Sequence, residues 1–540
     1  MTAQLPALQV VVPLLCAPLC VLLRSRTVAW LLFLTAAVAA LACSSVLAWH
    51  VADGEVFRYA MGGWDAPVGI EYVIDKANVP VLMLVAAIGV AAAVYGRASI
   101  AAEIEASRIP LFYACLCLNL TGLLGIAATG DAFNAFVFLE ITSLSSYALV
   151  AMGRRRRALL AAFQYLIVGT IGATFVLIGI GLAYAVTGTL NMADLAQRLP
   201  DVYGNRALTA AVIFVVVGLA IKMALFPLHG WLPGAYAESP SAVSLFLAAT
   251  NTKVAIYLLL RLAFGVFGAA LVFGRMPITE VGLVLACVAM LVASAVACFQ
   301  SDFKYLLAWS SIAQVGYIAA GLSLATADGV TAAYLHVVNH AIIKGALFAA
   351  AGVVMLRVGS TRLRAMAGIG RTMPWTFAAI VLAGFALVGV PPTAGFISKW
   401  VLAEALIADG QWAVLAVLLV SSLLSLVYVG RVIEAGWFRR PAEPEPATTE
   451  PAEPEPAEPA STESASTEPV TEPVTGGTAA AGTATVRRAT ARPVTAGRTP
   501  PAMAAATWAL VLLSLVFGLA PEWPMSLAEG AAAVLGGAGG

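Results

Sequence analysis

Four charged residues lie within strongly apolar stretches of the sequence: Glu140, Lys222, Lys253 and Lys399. A charged side chain at the centre of a bilayer costs at least about 2.5–3.5 kcal/mol, so such residues usually line a path for protons or ions. A lysine near the end of a span can instead extend to the headgroups, which suits Lys222 better than Glu140 or Lys253. We therefore predict a proton path, in which Glu140 and Lys222 influence each other's proton affinity.

A second set of ionisable residues is His336, His340 and Lys344, in the segment LHVVNHAIIKGALFAAAG. Their spacing of four residues places them in one stripe along a helix. Two histidines four residues apart could bind zinc, but no acidic third ligand lies nearby in the sequence. Histidine and a desolvated lysine can both exchange protons near neutral pH. The stripe therefore predicts a proton wire rather than a metal site.

Two proline-containing breaks interrupt the apolar stretches beside the lysines. Pro227 follows Lys222, and Pro391 with Pro392 precedes Lys399. Proline removes a backbone donor, and non-helical backbone at membrane depth requires protein or water to satisfy it. Since the lysine precedes one break and follows the other, the pattern is that of an inverted repeat around a transport site.

Two further ionisable residues, His229 and Lys304, lie near the ends of apolar stretches. His229, just past the first break, is either a gate at the water side of the path or an interfacial histidine that caps freed carbonyls. Lys304 begins an apolar stretch beside Asp302. For Lys304 a simple headgroup anchor is the favoured interpretation.

The composition requires a lipid environment, because 61% of the 540 residues are hydrophobic and only 11% are charged. Soluble domains carry about 25% charged residues. Apolar stretches of about 20 residues, long enough to cross a hydrocarbon core, recur throughout. We predict an all-α polytopic membrane protein with fourteen spans, at 4–23, 28–50, 79–97, 109–128, 132–152, 161–187, 207–226, 240–263, 277–299, 304–324, 330–356, 374–406, 411–435 and 504–520.

Basic residues are concentrated in every second connection between the spans. By the positive-inside rule these connections are cytoplasmic, which places both termini outside a bacterial cytoplasmic membrane. No basic cluster is large enough to suggest a nucleic-acid partner. The bases are Arg24, Arg26, Arg97, Arg108, the run Arg154 to Arg157, the set from Arg357 to Arg371, Arg439 and Arg440.

Residues 441–503 are rich in Pro, Glu and Thr and have no apolar periodicity. Such a segment cannot bury enough surface to offset its chain entropy. It predicts a disordered cytoplasmic linker, within boundaries of 437–503, before the last span and a Gly/Ala-rich tail at 504–540.

No redox or metal site is predicted. The seven cysteines lie inside apolar runs without a metal-ligand pattern, and no Gly-rich dinucleotide fingerprint follows a strand. We therefore expect no cofactor, and no catalysis by this chain alone.

The motifs resemble those of the antiporter-like subunits shared by Mrp-type monovalent cation/proton antiporters and respiratory complex I. The resemblance covers roughly residues 60–430 and rests on TGDAFNAFVFLEITSLSSYALVA, KMALFPLHGWLPGAYAESPSAVSLFLAATNTKVAIY, DFKYLLAWSSIAQVGYI, HVVNHAIIKGALFAAAG and GVPPTAGFISKW. It implies inverted five-helix repeats at 104–264 and 265–436 after N-terminal helices at 1–103. It also implies one hydrated axis through Glu140, Lys222, Lys253, the histidine stripe and Lys399.

The resemblance implies a proton-translocating subunit of a multi-subunit antiporter for Na⁺ or another monovalent cation. Lys399 and the single span after the linker favour a D-like or N-like member. The alternative is a pumping subunit of an NADH:quinone oxidoreductase or membrane-bound hydrogenase. A non-transporting scaffold is a third possibility. The expected partners are other membrane subunits, protons, the coupled cation and lipid.

Overall fold

The structure is a computed structural model that describes residues 2–440 and 498–537. In the first half of the chain its helices are α1 (Leu5–Leu23), α2 (Arg26–Ala52), α3 (Val79–Glu103), α4 (Ile109–Ala128), α5 (Ala132–Ala151), α6 (Arg156–Thr187), α7 (Met192–Arg198), α8 (Arg206–Met223), α9 (Leu232–Glu238) and α10 (Ser241–Leu260). Short 3₁₀ turns occur at Thr2–Gln4, Met61–Gly63, Ala106–Arg108 and Leu199–Val202.

A π-helical turn at Arg261–Val266 follows α10, and a second one at Glu434–Phe438 follows α18. The helices of the second half are α11 (Ala269–Val272), α12 (Ile278–Phe299), α13 (Phe303–Ser323), α14 (Ala327–Val358), α15 (Ile369–Thr372), α16 (Pro374–Val388), α17 (Ala394–Ala408), α18 (Trp412–Ile433), α19 (Pro501–Leu519) and α20 (Glu522–Gly537).

Thirteen helices in the described part of the chain are long and apolar enough to cross a membrane. The predicted span at 374–406 is the pair α16 and α17, which a break separates. Each of the fourteen predicted spans therefore coincides with a helix or a helix pair, and the all-α polytopic class is confirmed. The division into repeats at 104–264 and 265–436 stays a prediction.

The C-terminal part of the chain is more helical than the sequence suggested. α19 begins three residues before the predicted span, and α20 occupies most of what was predicted as a tail. α20 packs against α14 and the Arg261–Val266 turn. Of the predicted disordered linker at 437–503, residues 441–497 lie outside the described residues, whereas both edges of the prediction are partly helical, in the turn that ends at Phe438 and in α19 from Pro501.

Side-chain caps begin several of the membrane helices. Asp131, Asn205, Asp302 and Thr326 stand immediately before α5, α8, α13 and α14, and each side-chain oxygen accepts a hydrogen bond from a backbone N–H of the first turn. The first N–H groups of a helix have no partner within the helix, so such caps satisfy them where water is scarce.

Both predicted helix breaks are present. α8 ends at Ala224 in the left-handed region (φ 61°), and α16 ends at Gly389 (φ 91°). After the first break the indole Nε1 of Trp231 donates to the Ile221 carbonyl at 2.9 Å. The same carbonyl accepts from the Ala224 backbone N–H at 3.1 Å, so the indole is a second donor that ties the segment after the break to the end of α8.

Helix α14 is the centre of the bundle. All of its residues from Gly329 to Val354 are buried. It packs against α10, α13, α16, α17, α19 and α20. The stripe of ionisable residues on α14 is therefore enclosed by protein on every side.

The two ends of the bundle differ in their charged contacts. At the end that carries Arg24, Arg108 and Arg154 to Arg157, here called the arginine-bearing end, Arg154 donates to the carbonyls of Ala102 and Glu103. The opposite end carries an antiparallel hairpin of β1 (Phe57–Ala60) and β2 (Glu71–Ile74), which was not predicted from the sequence. In it Arg58 Nη1 lies 3.1 Å from Glu71 Oε1.

Candidate functional site

Lys222 lies at the end of α8, directly before the break, and is 9% exposed. Its Nζ donates to the Ser143 hydroxyl on α5 at 2.7 Å. Glu140 lies one turn before Ser143 and is close enough to Lys222 to act on it electrostatically. No Glu140–Lys222 ion pair occurs among the salt bridges of the described residues, so Lys222 is held by a neutral hydroxyl.

A row of amide and hydroxyl groups leads from Ser143 towards Lys253. Ser146, one turn after Ser143 on α5, accepts hydrogen bonds from Asn119 Nδ2 of α4 at 2.7 Å and from Asn251 Nδ2 of α10 at 2.8 Å. Asn251 stands two residues before Lys253 on the same helix. These buried polar groups connect the surroundings of Lys222 with those of Lys253.

Lys253 is 1% exposed and lies in the middle of α10. Its Nζ donates to the Ala248 carbonyl and to the Thr252 hydroxyl, the latter at 3.2 Å. Helix α10 packs against α14, the helix that carries His340 and Lys344. Lys253 is therefore next to the stripe on α14.

Lys344 is completely buried and is bound to α13. Its Nζ donates to the Leu307 carbonyl at 2.8 Å and to the Ser310 hydroxyl. Both acceptors are uncharged, so the ammonium group has no carboxylate to keep it protonated.

His336 and His340 are stacked one turn apart, with their ring centroids 5.9 Å apart and an interplanar angle of 9°. His336 Nδ1 lies 2.9 Å from Ser398 Oγ, and its Nε2 lies 2.9 Å from Gln314 Oε1. Neither ring nitrogen of His340 has a partner among the described residues. Buried polar atoms of this kind usually bind ordered water, which would extend the row of hydrogen-bonding groups.

Lys399 lies one turn after the second break, on α17. Its Nζ donates to the carbonyls of Leu387 and Val388, at 3.1 and 2.9 Å, at the end of α16. It also lies 4.7 Å from the ring centroid of Tyr317, in a cation–π contact. The lysine therefore binds the carbonyls that the break frees, next to the C-terminal dipole of α16, where a positive charge is stabilised.

The structure brings six of the seven predicted path residues into one buried row, in the order Lys222, Lys253, Lys344, His340, His336 and Lys399. Glu140 stands beside the first member and is only half-buried. The chain has six lysines, and only Lys76 is exposed. None of the lysines lies within 4.0 Å of a carboxylate in the described residues, whose salt bridges involve only arginine or histidine.

His229 is half-buried at the first break. Its ring stacks on Phe226 with centroids 4.8 Å apart and meets Trp309 of α13 at 5.1 Å. Its Nδ1 has no partner among the described residues. The choice between a gate and an interfacial cap stays a prediction.

The interpretation of Lys304 as a headgroup anchor is wrong. The residue is 2% exposed, and its Nζ donates to the Ser239 carbonyl at 3.1 Å and to the Ser244 hydroxyl at 3.2 Å. Helix α9 and the segment between α9 and α10 cover this end of α13. A sequence position at the beginning of a span does not reveal that covering.

Sequence reasoning missed the neutral residues that hold the path together. Ser143, Ser310 and Ser398 bind Lys222, Lys344 and His336 respectively. A weak signal was available in the segment TSLSS of α5, since its polar residues recur within one apolar span. No group of three or more His, Cys, Asp or Glu residues that could hold a metal ion is found in the described ranges.

Comparison with known proteins identifies relatives over most of the chain. Residues 129–425 match the family model described as NADH:quinone oxidoreductase/Mrp antiporter, TM. The N subunit of the NADH-quinone oxidoreductase of Desulforudis audaxviator is 45% identical over 82% of this chain and 88% of that protein. The D subunit of the Na⁺/H⁺ antiporter of Alkalihalophilus pseudofirmus is 34% identical over 74% of this chain and 80% of that protein.

The fold is also found in a solved assembly. A chain in the structure of the Mrp complex from Dietzia sp. DQ12-45-1b aligns with a TM-score of 0.81 and 28% identity, over 99% of this chain and 97% of that one. The family model covers more than half of the sequence, and it includes Glu140, all five buried lysines and both breaks. The chain therefore belongs to the NADH:quinone oxidoreductase/Mrp antiporter family of transmembrane subunits.

Proposed function

We propose that this chain is the proton-translocating membrane subunit of a multi-subunit antiporter for Na⁺ or another monovalent cation. The observation that carries the proposal is the buried row from Lys222 to Lys399, in which each lysine is hydrogen-bonded to neutral acceptors. A lysine without a carboxylate partner can lose its proton without leaving a buried counter-charge behind. A proton can then move along the row as each amine in turn accepts and releases it.

The α5 surface around Glu140 supports an assembly with other membrane subunits. Glu140 is half-buried in the isolated chain, and its neighbours Val137 and Leu144 on the same helix are exposed. Exposing a carboxylate to lipid hydrocarbon would cost free energy, so we expect another membrane subunit to pack against this face of α5. The arginine-bearing end then faces the cytoplasm of a bacterial cell, with both termini outside, as the positive-inside rule requires.

A second candidate is the corresponding pumping subunit of an NADH:quinone oxidoreductase. The 45% identity to a protein named as the N subunit of that enzyme favours it. The same proton row would serve either assembly, because only the source of energy differs. Purification of the native complex separates the two: flavin and iron–sulfur subunits accompany the second, and small antiporter subunits accompany the first.

The test of proton transport is reconstitution of the complete native complex in proteoliposomes. Glu140→Ala, Lys222→Ala, Lys253→Ala and Lys399→Ala should each abolish proton flux driven by a cation gradient or, for a redox-driven complex, by electron transfer. Lys76→Ala is the matched control, because Lys76 is the exposed lysine and should tolerate the change. Normal flux in all four variants, with normal assembly, would end the proton-path proposal in favour of a scaffold.

A further inference from the structure

Lys304 is the one buried lysine that the row from Lys222 to Lys399 does not include. It lies at the arginine-bearing end, in the first turn of α13. Its two hydrogen-bond acceptors, the Ser239 carbonyl and the Ser244 hydroxyl, are both neutral. Lys304 therefore resembles the lysines of the row in its direct acceptors, which are neutral.

Next to Lys304 is a buried carboxylate with an unused oxygen. The Glu238 side chain, at the end of α9, is 2% exposed. Its Oε1 accepts a hydrogen bond from the Tyr305 hydroxyl at 3.1 Å, whereas its Oε2 has no hydrogen-bond partner among the described residues. Arg155, whose side chain is 49% exposed, approaches Oε2 only to 3.9 Å. The half-exposed arginine and tyrosine connect this carboxylate to the surface.

Three other charged groups act on Lys304: Glu103, Asp302 and Arg155. Glu103 is engaged, since its Oε2 accepts from the Ser241 backbone N–H at 2.9 Å at the start of α10. Asp302 caps α13 and binds the Thr361 hydroxyl at 2.9 Å. Glu238 is therefore the nearby acid with a free oxygen that can take up a proton.

Lys304 is also one helical turn away from the binding site of Lys344. Lys344 donates to the Leu307 carbonyl on α13, three residues after Lys304. At about 1.5 Å per residue, the two α13 positions are about 4.5 Å apart along the helix axis. Ser310, the second acceptor of Lys344, lies in the next turn. Lys304 thus lies one turn before the part of α13 that Lys344 binds.

We propose that Glu238 and Lys304 form a proton-loading site, through which protons from the arginine-bearing end reach Lys344. The proposal rests on the proton-transport function proposed above, and adds to it an entrance that bypasses Lys222. The Glu238 carboxylate takes up a proton from bulk water. Because no lysine of the described residues lies within 4.0 Å of a carboxylate, the proton reaches the neutral Lys304 amine through one bridging water, which gives up one of its own protons as it receives that of Glu238. Lys304 then releases one proton, which reaches the neutral Lys344 amine through bridging water and the Ser310 hydroxyl. That hydroxyl donates its own proton as it accepts the incoming one, and the Glu238 carboxylate is again free.

The competing role is an electrostatic latch, in which Lys304 only holds α9, α10 and α13 together. Two conservative pairs of variants separate these roles. Glu238→Gln keeps the acceptor for Tyr305 but cannot carry a proton, whereas Glu238→Asp can. Lys304→Arg keeps the charge and the donors, but arginine does not release its proton in proteins.

The measurement is proton flux by the reconstituted complete complex, normalised to the amount of assembled complex. A positioned proton-transfer group typically contributes about 10²–10⁴-fold, so Glu238→Gln and Lys304→Arg should each lower flux by at least about tenfold. Glu238→Asp should retain most of it. Wild-type flux in Glu238→Gln would overturn the loading-site proposal. Equal losses of flux in Glu238→Gln and Glu238→Asp would also overturn it, because they would indicate that Glu238 has a structural role.

The row variants distinguish this failure from a failure of the underlying function. If Lys253→Ala and Lys399→Ala lose flux while Glu238→Gln keeps it, the row conducts protons and only the loading site is wrong. If the two row variants also keep flux, the proton path itself is wrong. Should Lys304→Arg not assemble because arginine is larger, the Glu238 pair decides, since glutamine has nearly the same shape as glutamate.

Discussion

Replacing Gly389 with alanine should damage proton transport far more than it damages the fold. Gly389 ends α16 with φ 91°, and a Cβ atom there would lie 3.0 Å from the Cδ atom of Lys399. Alanine in the left-handed region costs about 1–2 kcal/mol. The added methyl group should also push the Lys399 side chain away from its position against the Leu387 and Val388 carbonyls.

The matched control is Gly359→Ala. Gly359 ends α14 with φ 77°, and a Cβ atom there would meet nothing within 4 Å. Both variants should therefore lose a similar amount of stability, about 1–2 kcal/mol, from the backbone alone. Thermal unfolding of the purified complexes measures this shared cost.

Proton flux then isolates the contact with Lys399. A hydrogen bond to a charged group contributes about 1.5–3 kcal/mol, and a free-energy difference of about 1.4 kcal/mol corresponds to a factor of ten. If Gly389→Ala loses one of the two carbonyl contacts of Lys399, its proton flux should therefore fall at least about tenfold. Gly359→Ala should keep flux near the wild-type value. Equal flux in the two variants would refute the inference that the carbonyls at the second break position Lys399.

Three further predictions concern single contacts. Ser143→Ala removes the hydroxyl that accepts a hydrogen bond from Lys222 and should lower proton flux about tenfold. Ser143→Thr keeps a hydroxyl and should preserve the flux. Identical flux in the two variants would show that the Ser143 hydroxyl does not position Lys222. Tyr317→Leu removes the cation–π contact with Lys399, which contributes up to about 2 kcal/mol, and should lower proton flux. Tyr317→Phe keeps the aromatic ring and should have little effect. Loss of flux in both variants would assign the role to the hydroxyl group instead of the ring. Asp75→Asn breaks a part-buried ion pair, in which Asp75 Oδ2 lies 2.7 Å from Arg261 Nη2, and should reduce the stability of the complex by about 3–5 kcal/mol. An unchanged unfolding temperature would show that this pair does not stabilise the fold.

The spans and breaks could be predicted from the sequence because their signals are local. Apolar length determines a span, and proline at 227 and 391–392 removes a backbone donor wherever the chain folds. The spacing of His336, His340 and Lys344 likewise depends only on helix geometry. These features need no knowledge of neighbouring helices.

The partners of the path residues could not be predicted, because they come from helices far apart in the sequence. Ser143 binds a lysine 79 positions away, and Ser398 binds a histidine 62 positions away. Isolated serines in apolar spans more often bind their own backbone one turn back, as Ser145 does. Ser143 and Ser398 make this backbone bond as well, so only the tertiary arrangement shows which serines also bind a residue of the path.

The hairpin, α20 and the burial of Lys304 were missed for related reasons. Two short strands, Phe57–Ala60 and Glu71–Ile74, give too little periodic pattern to distinguish from a loop. The Gly- and Ala-rich sequence of α20 has weak helical propensity at its glycines, and packing against α14 compensates for it. Lys304 was misjudged because a position near the end of a span does not indicate which helix covers it.

The distribution of the two basic residue types gives the strongest argument for proton exchange. The chain has 30 lysines and arginines, yet five of its six lysines are buried, whereas no arginine of the described residues is fully buried and the part-buried Arg261 is paired with Asp75. Either side chain could anchor a helix end at the headgroups, so anchoring does not explain why only lysine occupies the interior. Arginine keeps its proton at any physiological pH, whereas a buried lysine can release it. Lysine is therefore placed where a basic group must alternate between charged and neutral forms, and Lys304 shares that placement with the lysines of the row.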